Sequence, residues 1–116
     1  MSKNNYYEAV FIIKQSASSG HVEAMANEFV SLIEGQGGDV TKTELCGLRT
    51  LAYPIQKNTK GHYVLLNIAC SVDCIKEFER KINISEDVIR YLVIKVEKLD
   101  SNPSALIRRA SGKDYI

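Results

Sequence analysis

The chain predicts an α+β sandwich, one four-stranded antiparallel sheet with two helices on a single face. Three observations carry that expectation. Four segments are rich in β-branched and aromatic residues, two others repeat apolar residues every three to four positions, and turn-forming residues separate the six in the order β-α-β-β-α-β. At 116 residues the chain fits one domain that buries its own core without disulfide or metal staples.

The first strand runs from Tyr6 to Ile13. Its alternation puts Tyr7, Ala9, Phe11 and Ile13 on one face and Glu8, Val10 and Ile12 on the other. Ser16-Ala17-Ser18-Ser19-Gly20 supplies a turn, with Ser18 or Ser19 as helix cap and Glu23 expected in the first turn near the positive end of the helix dipole. Val22, Met25 or Ala26, Phe29 and Ile33 then form the buried stripe of the first helix, which stops at Gly35-Gln36-Gly37-Gly38.

A second extended segment begins at Val40 and passes through Leu45 and Leu51 toward Pro54. Gly47 reads as a bulge or bend, and Pro54 marks an edge or an end because proline cannot donate to a ladder. Asn58-Thr59-Lys60-Gly61 has turn chemistry. His62 to Cys70 is the third strand, with Val64, Leu66 and Ile68 toward the core and Tyr63, Leu65 and Asn67 on the far side. Ser71 caps the second helix, Asp73 lies in its first turn, and Ile75, Phe78 and Ile82 form its stripe. Asn83 to Asp87 breaks the pattern, and Val88 to Glu97 is the fourth strand.

With right-handed crossovers this order gives the ferredoxin-like split β-α-β sandwich. The face away from the helices and the edge strand are then left for function. Residues 1–98 make the domain, and residues 99–116 are expected to be a flexible basic tail, with Arg108, Arg109 and Lys113 against a single Asp114.

Composition excludes more than it selects. The chain is 45% hydrophobic and 25% charged, with a net charge of +1, so any affinity for polyanions must come from local arrangement. No apolar run approaches the roughly 18–20 residues that cross a bilayer. The first residues lack the apolar core of a signal peptide, which points to the cytosol. Cys46, Cys70 and Cys74 suit reduced, semi-buried thiols.

Several chemistries fail on their residues. Cys70 and Cys74 lie four apart, yet even with Cys46, His21 and His62 they do not complete a tetrahedral zinc motif. Acylphosphatases share the topology and hold phosphate with an arginine in the glycine-rich loop after the first strand. Lys14-Gln15-Ser16-Ala17-Ser18-Ser19-Gly20 has no arginine and one glycine. His21 and His62 have no Asp or Ser at motif spacing, and no Walker-type loop exists. No catalytic residue, metal, cofactor or small-molecule substrate is expected. The third strand also lacks the Gly/Phe signature with which RNA-recognition motifs stack bases, leaving only Tyr63.

What remains is one consistently basic stretch. Arg49, Lys57 and Lys60 lie between Gly47 and Tyr63 with no acidic residue among them, and Arg90 and Lys95 lie on the fourth strand. Arginine forks suit phosphates and base edges, and lysines suit phosphates as point charges. The plain alternative is an edge strand guarded by charge against aggregation. Residues alone leave these two readings level.

The run Gly47-Leu48-Arg49-x-Leu51-Ala52-Tyr53-Pro54-Ile55-x-Lys57, followed by Gly61 and Tyr63, closely resembles the central signature of the bacterial small-subunit ribosomal protein six family. Tyr7-Glu8 and Val88-Ile89-Arg90-Tyr91-Leu92-Val93-Ile94-Lys95 also look like that family, so the resemblance covers about residues 6 to 97. It implies the same sandwich fold, a non-catalytic structural role in the small ribosomal subunit, and binding to a small-subunit rRNA junction together with ribosomal protein eighteen. By position, Arg49, Lys57, Arg90 and Lys95 are the implied rRNA or partner contacts, which Lys60 joins by its charge, and Leu48, Leu51, Tyr53 and Pro54 are the implied partner edge. Thr50 and Ile89 depart from the family pattern, standing where members often carry a second arginine beside the first.

Overall fold

A computed structural model describes residues 5–97. The tail expected at 99–116 lies outside the described residues. The elements are β1 (Asn5–Lys14), α1 (Ser19–Gly35), β2 (Asp39–Ile55), β3 (Asn58–Cys70), α2 (Val72–Ile84) and β4 (Val88–Val96). The sheet order is β2-β3-β1-β4, and every neighbouring pair is antiparallel. Each helix therefore connects two parallel strands separated by a third, which is the split β-α-β arrangement expected from the sequence.

The helices form where caps and stripes agree. Ser18 Oγ accepts from the His21 amide at 3.1 Å, and Ser71 Oγ accepts from the Cys74 amide at 3.1 Å, each satisfying an orphan donor of the first turn. Glu23 lies one turn further in than expected, because the helix begins at Ser19 and its first turn holds no acid. Val22, Met25, Ala26, Phe29 and Ile33 of α1 meet Cys74, Ile75, Phe78 and Ile82 of α2 over Tyr7, Ala9, Phe11 and Ile13 of β1. Phe29 ties the layers together edge-to-face, 5.3 Å from Phe11 and 5.6 Å from Phe78 between ring centroids. Among the described residues, no helix is long and apolar enough to cross a membrane.

The far side of the sheet departs from the expectation that it stands open. Val10, Ile12, Tyr63, Leu65 and Ile89 form a second buried cluster there with Leu51 and Ile55. The reason is the length of β2 and the coil of its hairpin. A row across the sheet joins Gly47, Tyr63, Ile12 and Arg90, and three strand spacings place its ends about 14 Å apart on a flat sheet. Yet the Tyr53 hydroxyl lies 3.1 Å from Arg90 Nη1. The end of the β2–β3 hairpin thus curls across the sheet to the opposite edge and roofs part of that face.

Gly47 supplies the bend, as expected: the register shifts between Leu45 and Gly47, and Gly47 has φ +86°. The turn itself falls two residues earlier than its composition suggests. Gln56 (φ 49°) and Lys57 (φ 68°) form the two-residue loop, and Asn58 already belongs to β3. Asn58 compensates for two non-glycine residues in the left-handed region, its Nδ2 donating to the Ile55 and Gln56 carbonyls, both at 3.1 Å. Its Oδ1 accepts from the Gln15 amide at 2.9 Å, while Gln15 Oε1 accepts from the Thr59 and Lys60 amides at 2.9 and 3.0 Å. These bonds fasten the turn end of the hairpin to the loop after β1.

Candidate nucleic-acid interface

The hairpin arranges the basic residues around itself. Arg49 stands opposite Gly61 in the β3 ladder, on the side facing the second cluster, and its Nε donates to the Cys46 carbonyl at 3.2 Å. Lys60 stands opposite Thr50, one residue along, and so points to the other side of the hairpin. Lys57 sits exposed in the turn, where its positive φ carries the side chain away from the ladder.

Arg90 joins this group from another edge of the sheet. Its Nη1 donates to Tyr53 Oη, and its guanidinium carbon stands 5.8 Å from the Tyr53 ring centroid. Arg90, Asn83, Tyr91 and the turn residue Gln56 border one shallow polar cleft. Arg49, Lys57, Lys60 and Arg90 therefore rim the hairpin. Lys95 does not: it pairs with Tyr7 toward the opposite end of the sheet and faces the helix side. Five residues along β4 separate it from Arg90, about 16 Å.

The expected partner edge also divides. Leu48 is 49% exposed, Tyr53 is 48% exposed and Pro54 is exposed, all on the edge strand β2. Leu51 is 8% exposed and belongs to the second cluster, where it packs with Ile12 and Tyr63 rather than presenting itself to a partner. Leu45, 47% exposed on the same strand, extends the apolar edge; the Gly47 bulge hides its change of face from simple alternation. Tyr63 is buried and offers no ring for a base; burial holds its hydroxyl above the ordinary tyrosine range.

Away from the hairpin, Asp87 gathers a lysine and a histidine. Its carboxylate meets Lys14 Nζ at 2.8 Å and His21 Nε2 at 2.9 Å, and Lys14 chiefly holds the carboxyl below the usual range by hydrogen bonding. Sequence spacing did not supply this partner for His21, because it lies 66 residues away. The trio ties the end of β1, the start of α1 and the α2–β4 loop together. Cys70 and Cys74 are buried, and burial, with the neighbouring thiol, pushes Cys70 up to about 12. Among the described residues no three His, Cys, Asp or Glu side chains gather as a metal site.

Comparison with known proteins bears on this arrangement. The family model described as Ribosomal protein S6 matches residues 6–95. The small ribosomal subunit protein bS6 of Afipia carboxidovorans is 50% identical over 105 residues, spanning 90% of this chain and 73% of that protein. Its counterpart in Paramagnetospirillum magneticum is 47% identical over 108 residues, spanning 93% and 75%. A crystal structure of 30S ribosomal protein S6 from Thermotoga maritima superposes with a TM-score of 0.76 at 26% identity, covering 81% of this chain and 89% of that one.

Proposed function

Because this chain belongs to the ribosomal protein S6 family and is a structural component of the small ribosomal subunit rather than an enzyme, we propose that its coiled hairpin is where it binds small-subunit rRNA, together with ribosomal protein eighteen. The single observation that carries this reading is that Arg90 of β4 meets Tyr53 on the hairpin that also carries Arg49, Lys57 and Lys60, with no acid between Gly47 and Tyr63. A cation rim of this kind follows a phosphate backbone, and two of its members are arginines able to fork onto phosphate or a base edge. Leu45, Leu48 and Pro54 on the unpaired edge of β2 offer the partner protein an apolar strip beside that rim. A net charge of +1 fits a protein that shares its RNA contact with a partner.

The test is binding of the full chain, with ribosomal protein eighteen, to a small-subunit rRNA fragment over a range of salt. Arg49→Ala with Lys57→Ala should weaken binding and reduce the slope of log affinity against log salt by about one for each phosphate left without its cation. The fold should persist, since neither side chain belongs to a buried cluster. Unchanged affinity and slope in the double variant would remove these residues from the interface. Loss of the pair with ribosomal protein eighteen in Leu48→Glu, with rRNA affinity of the isolated chain unchanged, is the expected signature of the apolar edge.

A further inference from the structure

Two features of the hairpin belong to different halves of the binding surface, yet they touch. Tyr53 lies on β2, the strand that carries the apolar edge, and Arg90 lies on β4, at the other edge of the sheet. A flat sheet would keep their strands about 14 Å apart, with Tyr53 six residues further along β2 than Gly47, which faces Arg90 across the sheet; the coil of the hairpin instead brings Tyr53 Oη to 3.1 Å from Arg90 Nη1. Long arginine side chains on strands otherwise sample many rotamers, and the ordering must be met at the moment of binding. A guanidinium already held by a hydroxyl acceptor and a ring face has lost much of that freedom beforehand.

We propose that Tyr53 is a positioning residue for Arg90, reaching across the sheet to fix the guanidinium in the pose that meets rRNA phosphate. The Tyr53 hydroxyl accepts one N–H of Arg90, and the guanidinium carbon stands 5.8 Å from the centre of the ring, so the phenol restrains the cation from the side of the hairpin. The hairpin is itself held down by Leu51 and Ile55, packed with Ile89, the neighbour of Arg90. The pose of a cation on β4 therefore depends on whether the β2–β3 hairpin is seated. Contact of a partner protein with the β2 edge and contact of RNA with Arg90 then reinforce each other through one phenol ring. This rests on the reading that Arg90 meets rRNA, and deepens it by naming what aims the side chain.

The experiment is a double-mutant cycle on the full chain with ribosomal protein eighteen and a small-subunit rRNA fragment, each variant measured across a salt series. Arg90→Ala should weaken binding and lower the salt slope by about one. Tyr53→Phe keeps the ring and removes only the acceptor, so it should weaken binding by about fivefold, and Tyr53→Ala should weaken it further. In the Arg90→Ala background both Tyr53 substitutions should change affinity by less than about twofold. In the free protein, the guanidinium signals of Arg90 should be resolved by NMR in the parent and averaged by rotation in Tyr53→Phe, a readout that a general loss of folding stability does not give. If Tyr53→Phe weakens binding equally with and without Arg90, Tyr53 acts on its own account and the inference falls while Arg90 keeps its place on rRNA. If Arg90→Ala changes neither affinity nor slope, the assignment of Arg90 to rRNA falls and the inference falls with it.

Discussion

Gly61→Ala should cost the domain about 2 kcal/mol, although it adds one methyl group to a strand. The Cβ would stand 2.3 Å from Ile12 Cγ2 and 3.6 Å from Leu51 Cδ2, whereas carbon atoms rest about 3.5–4.0 Å apart. Ile12 is fully buried, and its Cγ2 is a branch methyl fixed directly to Cβ, so it cannot swing aside as the end of a long chain would. Overpacking of this kind costs roughly 1–3 kcal/mol, and a fully enclosed clash belongs at the upper end. Restricting the unfolded chain returns about 0.4–1 kcal/mol. The net should appear in equilibrium urea unfolding as a lower midpoint at constant slope, and in melting as a fall of roughly 10 °C. Ile12→Leu removes the Cγ2 branch at nearly constant volume, so Gly61→Ala should be cheaper in that background by about 1 kcal/mol or more. A cost under about 0.5 kcal/mol, or an equal cost in both backgrounds, would mean that the hairpin does not lie down on Ile12 as described.

Leu51→Ala should destabilise by about 2–3 kcal/mol, since it empties a place in the second cluster; an effect near zero in urea unfolding would return Leu51 to the surface. The Asp87 carboxyl is held below its ordinary value by Lys14 and His21, so its contribution is complete above the ordinary carboxylate range and is lost as pH falls through the depressed folded value. The urea midpoint of the parent should therefore drop below about pH 4 more steeply than that of Asp87→Asn, and parallel acid limbs would count against the trio. With Cys70 pushed up to about 12, iodoacetamide at about pH 8 should label it only as fast as the domain opens. The half-buried Cys46, whose thiol burial also pushes up, should be labelled slowly but ahead of Cys70, as mass spectrometry of tryptic peptides over time would record.

The strands and helices are legible because each announces its buried face with a simple period. Tyr7, Ala9, Phe11 and Ile13 against Val64, Leu66 and Ile68 need only alternation, and Phe29 and Phe78 only helical spacing. The second cluster escapes that reading, although a signal for it is present. Val10 and Ile12 on β1, with Leu65 on β3, make the supposedly open face apolar as well, and an apolar face must be covered. What the sequence does not convey is which segment covers it. That depends on the coil of the hairpin beyond Gly47, a sum of small twists along the strands rather than a property of any residue. The turn falls elsewhere than expected for a related reason: Asn58 and Gly61 have turn propensity, but Asn58 spends its amide capping a turn made by Gln56 and Lys57. Arg49, Lys57 and Lys60 are recognisable as a group by their adjacency, whereas the place of Arg90 beside them follows from the coil of the hairpin and that of Lys95 apart from them from strand register.

The coil of the hairpin also explains how a chain with so little net charge presents a coherent cationic rim. Spread over a flat sheet, Arg49 and Arg90 would occupy separate edges, each a lone cation in high-dielectric surroundings where single contacts count for little. The coil brings both to one hairpin while Lys42 stays with Glu44 at 3.4 Å and Lys14 with Asp87 at 2.8 Å, away from the rim. These acidic residues are engaged away from the turn end of the hairpin, and the stretch from Gly47 to Tyr63 carries only positive members. The same coil makes the rim depend on packing: Leu51, Ile55 and Ile89 seat the hairpin, Gly61 leaves the room for Ile12, and Tyr53 meets Arg90 only when both conditions hold. A core substitution such as Gly61→Ala should accordingly weaken RNA binding with no charge removed, through a hairpin that no longer reaches β4. Its salt slope should resemble that of Arg90→Ala rather than that of the parent, and a parental slope would separate the seat of the hairpin from the aim of Arg90.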